Sequence, residues 1–392
     1  MDKFEHSTID YFNISDLLTE EHLLIRKSVR QWTDTKVKNI IDEAAQTVTP
    51  PDNLNSDLGK LGAFGSFIPE EYGGAGMDYI SYGLINYELE RGDSSIRSTA
   101  SVQSSLVMYP IYEFGSEQQK KRFLPKLASG EQIGAYGLTE PNHGSDPGSM
   151  ETKLTKNGDS YLLNGAKMWI TNSPICDMAV VWAKDEKSVI RGVIVERDFE
   201  GFTTPEINKK WSLRASHTGE LVFDNVLIPK ENILPNIQGI KGPLMCLNSA
   251  RYGIAWGVLG AAEDCLQTAI KYSKERMQFS KPIAAFQLTQ KKIAEMITDL
   301  TKAQLLAWRL GMMKNEGKAS PAQISMAKRN NVETALNIAR ESRQILGAMG
   351  ISGDFPIMRH MMNLESVITY EGTHDIHLLI TGMDVLGISA FS

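Results

Sequence analysis

Cysteine is scarce: Cys176, Cys246 and Cys265 are the only three in 392 residues, far apart and without a C-x-x-C pair. A disulfide framework and a cysteine-built structural zinc site are therefore not expected, and a reducing compartment fits best. Long apolar runs are missing too. No segment approaches the roughly 18 uninterrupted apolar residues that a membrane helix needs, so no membrane insertion is expected. The opening Met1-Asp2-Lys3-Phe4-Glu5-His6 lacks a basic region followed by an apolar one and is too acidic for a mitochondrial presequence. Positive charge is not in excess either. Forty-one basic against 47 acidic side chains leave a net charge of −6, poor electrostatics for a nucleic-acid partner but no bar to a local basic pocket for one phosphorylated ligand. The phosphate-cradling motifs G-x-x-x-x-G-K-[ST] and G-x-G-x-x-G are absent, and Gly347, Gly350 and Gly353 have the wrong spacing for either. No G-x-S-x-G elbow occurs. His374 and His377 lack the H-E-x-x-H pattern and an evident third ligand, so no metal is expected. Hydrolase, ATPase and metalloenzyme readings weaken together.

What is present is a globular composition, 42% apolar and 22% charged, in a chain long enough for two or three domains. The first third reads helical. Thr19 with Glu20 and Glu21 makes an N-terminal cap, after which Ile25, Val29 and Trp32 share one face. Residues 79–91 and 101–114 are similar, with a Gly-rich loop over 69–76 between them and the first helix. Character changes near Gly130. Residues 160–163, the dipeptide Asn164-Gly165, and 166–171 read as a strand, a tight turn and a strand. Further β-type runs cover 178–183, 191–196 and 220–228, enough for a small barrel or sandwich. After Pro235 the helical period returns, and Ile293, Met296, Ile297, Leu300 and Ala307 line one stripe of a segment opened by Pro282. Tiers of α, β and α do not match a doubly wound sheet, which would alternate strand and helix. The expected architecture is a multi-tier α+β chain: an N-terminal helical domain over 1–132, a middle small β-barrel over 133–237, and a C-terminal four-helix bundle over 238–392.

Four blocks then occur in order. They are Tyr136-Gly-Leu-Thr-Glu-Pro-Asn-His-Gly-Ser-Asp146; Lys167-Met-Trp-Ile-Thr-Asn172; Glu275-Arg-Met-Gln-Phe279 with Gln287-Leu-Thr-Gln290; and Tyr370-Glu-Gly-Thr-His-Asp375. Together they resemble the acyl-CoA dehydrogenase family, flavoenzymes that oxidise acyl thioesters between C2 and C3. The stretches around Arg97–Ser101, Ala250–Gly257 and Thr369–His377 place the chain nearest the glutaryl-CoA dehydrogenase branch. The resemblance covers essentially the whole chain.

The chemistry asks for a base that removes a weakly acidic proton beside a thioester, and a carboxylate serves if burial raises its pKa. Glu371 is the candidate; read locally, it is rather a helix-start carboxylate favoured by the dipole. The resemblance decides for catalysis and implies that the backbone N–H of Glu371 helps hold the developing enolate oxygen. It also implies FAD as cofactor. Tyr136, Leu138, Thr139, Gly144 and Ser145 would line the pyrimidine side of the flavin, with Trp169, Ile170 and Thr171 against the ring. Trp169 reads locally as a core aromatic of a strand. Arg276, Gln278, Phe279 and Gln287 resemble an FAD-binding arm that crosses from a neighbouring subunit. Gln344, Gly347 and Ala348 match the opposing loop, and Thr373, His374 and Asp375 complete the cradle. Two departures bear on FAD affinity: Ala348-Met349 where the family commonly has Gly-Asn, and Ser280 where it usually has Gly.

By the same resemblance, CoA would lie along Ser145, Leu244, Asn248, Arg251, Gly372 and Phe391. Substrate choice turns on Arg97, whose cation would bind the far carboxylate of a dicarboxylyl thioester with help from Ser98 or Ser101. Glu90, about two helical turns earlier, and Tyr370 match the partners of that branch; without it, Glu90 and Arg97 read as a helix-surface pair worth little. The implied activity is FAD-dependent oxidation of glutaryl-CoA with decarboxylation to crotonyl-CoA, in lysine and tryptophan degradation. Electrons would pass to electron-transferring flavoprotein, in a homotetramer built from dimers. The alternatives are a dehydrogenase for another short acyl-CoA, a peroxide-forming oxidase, or a non-catalytic scaffold of the same fold. The compartment is cytoplasmic, or the mitochondrial matrix if a presequence has been removed.

Overall fold

The structure, a computed structural model, describes residues 9–51 and 53–391; the targeting expectation for Met1–His6 falls outside them. The N-terminal tier holds α1 (Glu20–Trp32), α2 (Ile41–Thr47), α3 (Asn55–Lys60), α4 (Tyr79–Gly92), α5 (Ser94–Ser101), α6 (Tyr109–Phe114) and α7 (Glu117–Ser129). Thr19 caps α1 as expected, its hydroxyl accepting from the His22 N–H while the His22 ring accepts from the Thr19 N–H. Val29 and Trp32 of its apolar face are buried, with Ile25 packed against them. Helix α4 is buried on every side from Ile80 to Gly92, so it is a core helix rather than an amphipathic one. Between α5 and α6 the chain continues as π-helix over Val102–Met108. Such wide turns often mark functional sites, and Arg97, Ser98 and Ser101 lie just before this one.

The middle tier is a seven-stranded sheet: β1 (Gly134–Gly137), β2 (Lys153–Asn157), β3 (Ser160–Thr171), β4 (Met178–Asp185), β5 (Ile190–Glu196), β6 (Phe202–Thr203) and β7 (Thr218–Pro229). Its order is β1-β4-β2-β3-β7-β6, with β5 added to β4. It curls round a core that includes Leu154, Leu163, Val181, Val193, Leu221 and Phe223. The turn expected at Asn164-Gly165 is not there. The hairpin turns at Gly158-Asp159, and β3 runs straight through 164–165. Asn164 instead faces a bulge of β7, where Asp224 and Asn225 lie opposite it and the Asn225 N–H donates to the Asn164 side chain at 2.8 Å. A side chain at Gly165 would meet Thr152 within 2.9 Å, so the glycine serves a close approach rather than a reversal.

The C-terminal tier begins with α8 (Lys241–Glu275), about 50 Å long at 1.5 Å per residue. A short hairpin of β8 (Met277–Gln278) and β9 (Lys281–Pro282) follows, then α9 (Gln287–Asn315), α10 (Pro321–Ile345), α11 (Ile357–Val367) and α12 (His374–Leu386). Helix α9 starts at Gln287, because Pro282 pairs in β9. Met296, Leu300 and Ala307 of its stripe are buried, and Ile293 and Ile297 are partly so. One core joins α4 to α8, α9, α10 and α11, so the first and last tiers share an interior around the middle of α8. No helix among the described residues is long and apolar enough to cross a membrane.

Candidate active site

The six residues linking α11 to α12 form the centre. Glu371 and Gly372 are both left-handed, at φ +53° and +94°. For a glutamate that conformation costs roughly 1–2 kcal/mol, and it persists only where the surroundings enforce it. They do. The Arg251 Nε donates to the Glu371 carbonyl at 2.7 Å. The buried Lys328 ammonium donates to the carbonyls of Val367, Tyr370 and Gly372 at 2.9, 3.0 and 3.0 Å. A side chain at Gly372 would lie 2.8 Å from the His377 ring and 3.1 Å from Arg251, so only glycine fits. The Glu371 backbone is tied down while its carboxyl is not: Oε2 is buried and has no hydrogen-bond partner. Burial pushes this carboxyl above the ordinary range, against the opposing pull of Arg97, Lys328 and Arg251. This buried, unpartnered carboxyl stands two residues before Thr373, the cap of α12.

Arg97 reaches the same loop. Its Nε donates to Glu90 Oε2 at 2.7 Å and its Nη2 to the Tyr370 hydroxyl. Both members of the ion pair are fully buried, which removes the helix-surface reading. Nor are they two turns of one helix, because Asp93 ends α4 and caps α5 through the Ser95 N–H. A methyl at Gly257 of α8 would collide with Glu90 at 2.3 Å; the pair fits because α8 carries glycine there. Two buried atoms stay unmatched, Arg97 Nη1 and Glu90 Oε1. Unpaired buried donors are uncommon and need a reason. Ser98 and Ser101 are buried on the following turn.

The first two motif blocks are joined by a buried ion pair that the sequence did not announce. Lys167 Nζ donates to Glu140 Oε1 at 2.8 Å and to the Leu138 carbonyl at 3.2 Å, and the Met168 N–H donates to the Thr139 carbonyl at 2.9 Å. Burial pushes Glu140 upward, but Lys167, Thr152 and the Glu151 N–H outweigh it and hold the carboxyl at about 2. Since the folded value lies below the ordinary 4.3 or so, this stability is complete above that pH and is lost as pH falls towards 2. Glu140→Gln should therefore lower the melting temperature at pH 7, leaving Lys167 buried without its anion, and flatten its fall between pH 5 and 2. Thermal melts across that range check this.

A flat ring system fits the surface beside this pair. A second bulge sets Met168 and Trp169 opposite the single Glu220 of β7, and Trp169 takes φ +62°. The indole is 56% exposed, not the core aromatic that its strand position suggests. Neighbouring Thr171 is half-buried, and a Cβ at Gly144 would meet nothing within 4 Å. Gly144 and Ser145 are exposed, and Thr139 is half-buried. Leu138 and Ile170 are buried in the core, and the Tyr136 hydroxyl donates to the Pro243 carbonyl at 3.3 Å. Those three can therefore offer a cofactor mainly their backbone. The residues present fit FAD on these grounds.

Several of the other expected contacts lie apart from this centre. Arg276, Gln278, Phe279 and Gln287 are exposed, and the Arg276 guanidinium has no partner among the described residues. Phe279 and Ser280 turn the β8–β9 hairpin at φ +51° and +62°, so Ser280 carries a strain that glycine would not. Gln344, Gly347 and Ala348 are exposed at the far end of α10; Gln344 is sixteen residues, about 24 Å, along that helix from Lys328. Leu244, Asn248 and Arg251 share one face of α8, and Arg251 Nη1 donates to Asn248 at 3.2 Å. Phe391 is exposed. Asp375 is exposed in the first turn of α12, and His374 lies 3.7 Å from Glu333. His377 is buried, and burial with Lys328 and Arg251 nearby lowers it to about 2. Lys328 and the Glu140–Lys167 pair are what sequence reading missed. A lysine in a stretch of α10 that carries several polar residues gives no sign that it is buried.

Comparison with known proteins agrees with this geometry. The N-terminal, middle and C-terminal domains of acyl-CoA dehydrogenase match residues 19–131, 135–226 and 238–386. A glutaryl-CoA dehydrogenase of Desulfococcus multivorans is 37% identical over 95% of this chain and 98% of its own. The crystal structure of a glutaryl-CoA dehydrogenase from Mycobacterium smegmatis in complex with FADH2 superposes with TM-score 0.96 at 47% identity, covering 98% of this chain and 100% of that one. Butyryl-CoA dehydrogenase from Megasphaera elsdenii superposes at 0.91 with 36% identity, covering 94% and 98%. With all three domains matched in order over nearly its whole length, the chain belongs to the acyl-CoA dehydrogenase family of FAD-dependent oxidoreductases.

Proposed function

We propose that the chain oxidises glutaryl-CoA at C2–C3 and releases crotonyl-CoA and carbon dioxide. The observation that carries this is the fully buried Arg97 beside Glu371, with one guanidinium nitrogen left without an acceptor. A slot for a simple alkyl chain has no use for such a cation, whereas the far carboxylate of a five-carbon diacid thioester would complete it. The 37% and 47% identities to glutaryl-CoA dehydrogenases support the reading. Butyryl-CoA dehydrogenase, at 36% identity, supports the second reading, a dehydrogenase for another short acyl-CoA.

In this reading Glu371 takes the C2 proton through Oε2, its pKa raised by burial towards the range where a carboxylate is an effective base. Its own N–H, fixed by the Arg251 and Lys328 ties to the loop, would stand by the thioester oxygen. FAD, when bound, supplies the acceptor for the hydride from C3. It would be held by the backbone around Leu138 and Thr139, by Trp169 and Thr171, and by Thr373 and His374. Arg276, Gln278, Phe279 and Gln287 would serve a neighbour's cofactor opposite Gln344, Gly347 and Ala348, in a tetramer of paired dimers. CoA would follow Leu244, Asn248 and Arg251 with Ser145 and Phe391. Electron-transferring flavoprotein would be the acceptor, and the three buried, unpaired cysteines suit a reducing compartment.

Decarboxylation then follows from how Arg97 holds its ligand. The γ-carboxylate leaves when its bonding electrons flow into the conjugated thioester, and a cation gripping it too tightly would prevent that. Glu90 and Tyr370 occupy two of the guanidinium's donors and so limit the grip. Protonated Glu371 returns its proton at C4. Mass spectrometry of a single turnover with an electron acceptor present should find crotonyl-CoA. Accumulated glutaconyl-CoA would leave the oxidation standing and remove the decarboxylation.

A further inference from the structure

Lys328 is 1% exposed on α10, and among the described residues no carboxylate lies within ion-pair distance of its ammonium. What surrounds it is backbone. All three of its donors are used, on the carbonyls of Val367, Tyr370 and Gly372. The chain between those carbonyls contains Glu371, whose own carbonyl is taken by Arg251. The loop is thus folded around one positive charge, with the Tyr370 ring 5.9 Å from the ammonium. A buried lysine without a carboxylate partner is costly, and a loop this short could be tied by neutral donors. The charge therefore calls for an explanation beyond fastening.

We propose that Lys328 is the positioning residue of the catalytic loop: it holds Glu371 left-handed with its carboxyl free, and its charge keeps that buried carboxyl available as a base. The inference rests on Glu371 being the base. The electrostatics run the same way from both sides. Burial lowers Lys328 to about 7, and Glu371 is the largest opposing influence; burial raises Glu371, and Lys328 is one of the cations restraining it. The other groups facing Glu371 are Tyr82 from α4, Arg97 from α5, Tyr136 from β1, Arg251 from α8, and Tyr370 beside it, with Glu90 behind Tyr370; His377 from α12 faces Lys328 and Arg251. Arg97 and Arg251 stay charged throughout the working range, which leaves Lys328 as the cation whose charge can vary near neutral pH.

The test uses FAD-loaded wild type, Lys328→Met, Lys328→Arg and Glu371→Gln. The readout is deuterium exchange at C2 of an acyl-CoA bearing sulfur at the third position, which can lose a proton there but has no hydride to give. Lys328→Met should slow exchange about a hundredfold at pH 7 and move its inflection to higher pH, because a restraining charge on Glu371 is gone. Lys328→Arg should keep the wild-type inflection with a smaller loss. Equal slowing by both with an unmoved inflection would mean a merely structural tie and overturn the proposal. So would wild-type exchange in Lys328→Met. If the Met variant does not fold, reciprocity decides: ¹³C NMR of the lysine Cε carbons should show a lower Lys328 pKa in Glu371→Gln than in wild type, and no change overturns the proposal. Glu371→Gln exchanging at the wild-type rate would instead remove the assignment of the base.

Discussion

Glu371→Gln should retain FAD and bind acyl-CoA, yet reduce its flavin about 10²–10⁴-fold more slowly than wild type, the usual cost of losing a general base. The substitution is nearly isosteric, and the ties that shape the loop go to backbone carbonyls: Arg251 to Glu371, and Lys328 to Val367, Tyr370 and Gly372. They survive the change, so the loss should fall on chemistry and not on folding. The pH dependence has a definite sign. As the proposed base, Glu371 would work as the carboxylate, and its folded pKa is raised, so reduction by wild type should climb with pH through an inflection above the ordinary 4.3 or so of glutamate. Stopped-flow absorbance of the flavin band measures both. A variant reducing at near-wild-type rate would place the base elsewhere.

Arg97→Met should have two separable effects. Breaking a buried ion pair strands the other charge, here Glu90, and costs about 3–5 kcal/mol of stability. The double variant Glu90→Gln with Arg97→Met removes both charges and should recover much of that in a thermal melt. Specificity should not recover. A hydrogen bond to a charged group is worth about 1.5–3 kcal/mol, so preference for glutaryl-CoA over butyryl-CoA should fall roughly ten- to hundredfold in both variants. Flavin reduction with the two thioesters reads this directly. Restored preference in the double variant would mean that Arg97 does not touch the substrate.

The motif blocks were legible because they are local, and the structure shows what holds them. Leu138, Thr139 and Glu140 of the first block meet Lys167 and Met168 of the second through one ion pair and two backbone contacts. The helical tiers were legible from period: Thr19 caps α1 and Val29 and Trp32 face inward, as the spacing required. What failed was whatever depended on the neighbour. Asn164-Gly165 carries turn chemistry, but a 12-residue strand runs straight through it, and the bulge falls on the paired β7. Trp169 reads as core until a second bulge turns it outward. Glu90 and Arg97 look like a helix-surface pair until Asp93 ends one helix and caps the next, and Gly257 lets α8 close over them. Lys328 was invisible for the same reason: its partners are carbonyls 39 to 44 positions away, which carry no side-chain signature.

Glu371 and Arg97 together would make a site for a dicarboxylyl thioester. Anaerobic titration of the oxidised holoenzyme, following the flavin absorbance, tests it most directly. Glutaryl-CoA should bleach the flavin stoichiometrically and at least tenfold faster than butyryl-CoA at equal concentration, the margin expected from one charge-assisted contact. Equal bleaching by the two thioesters, or faster bleaching by butyryl-CoA, would contradict it.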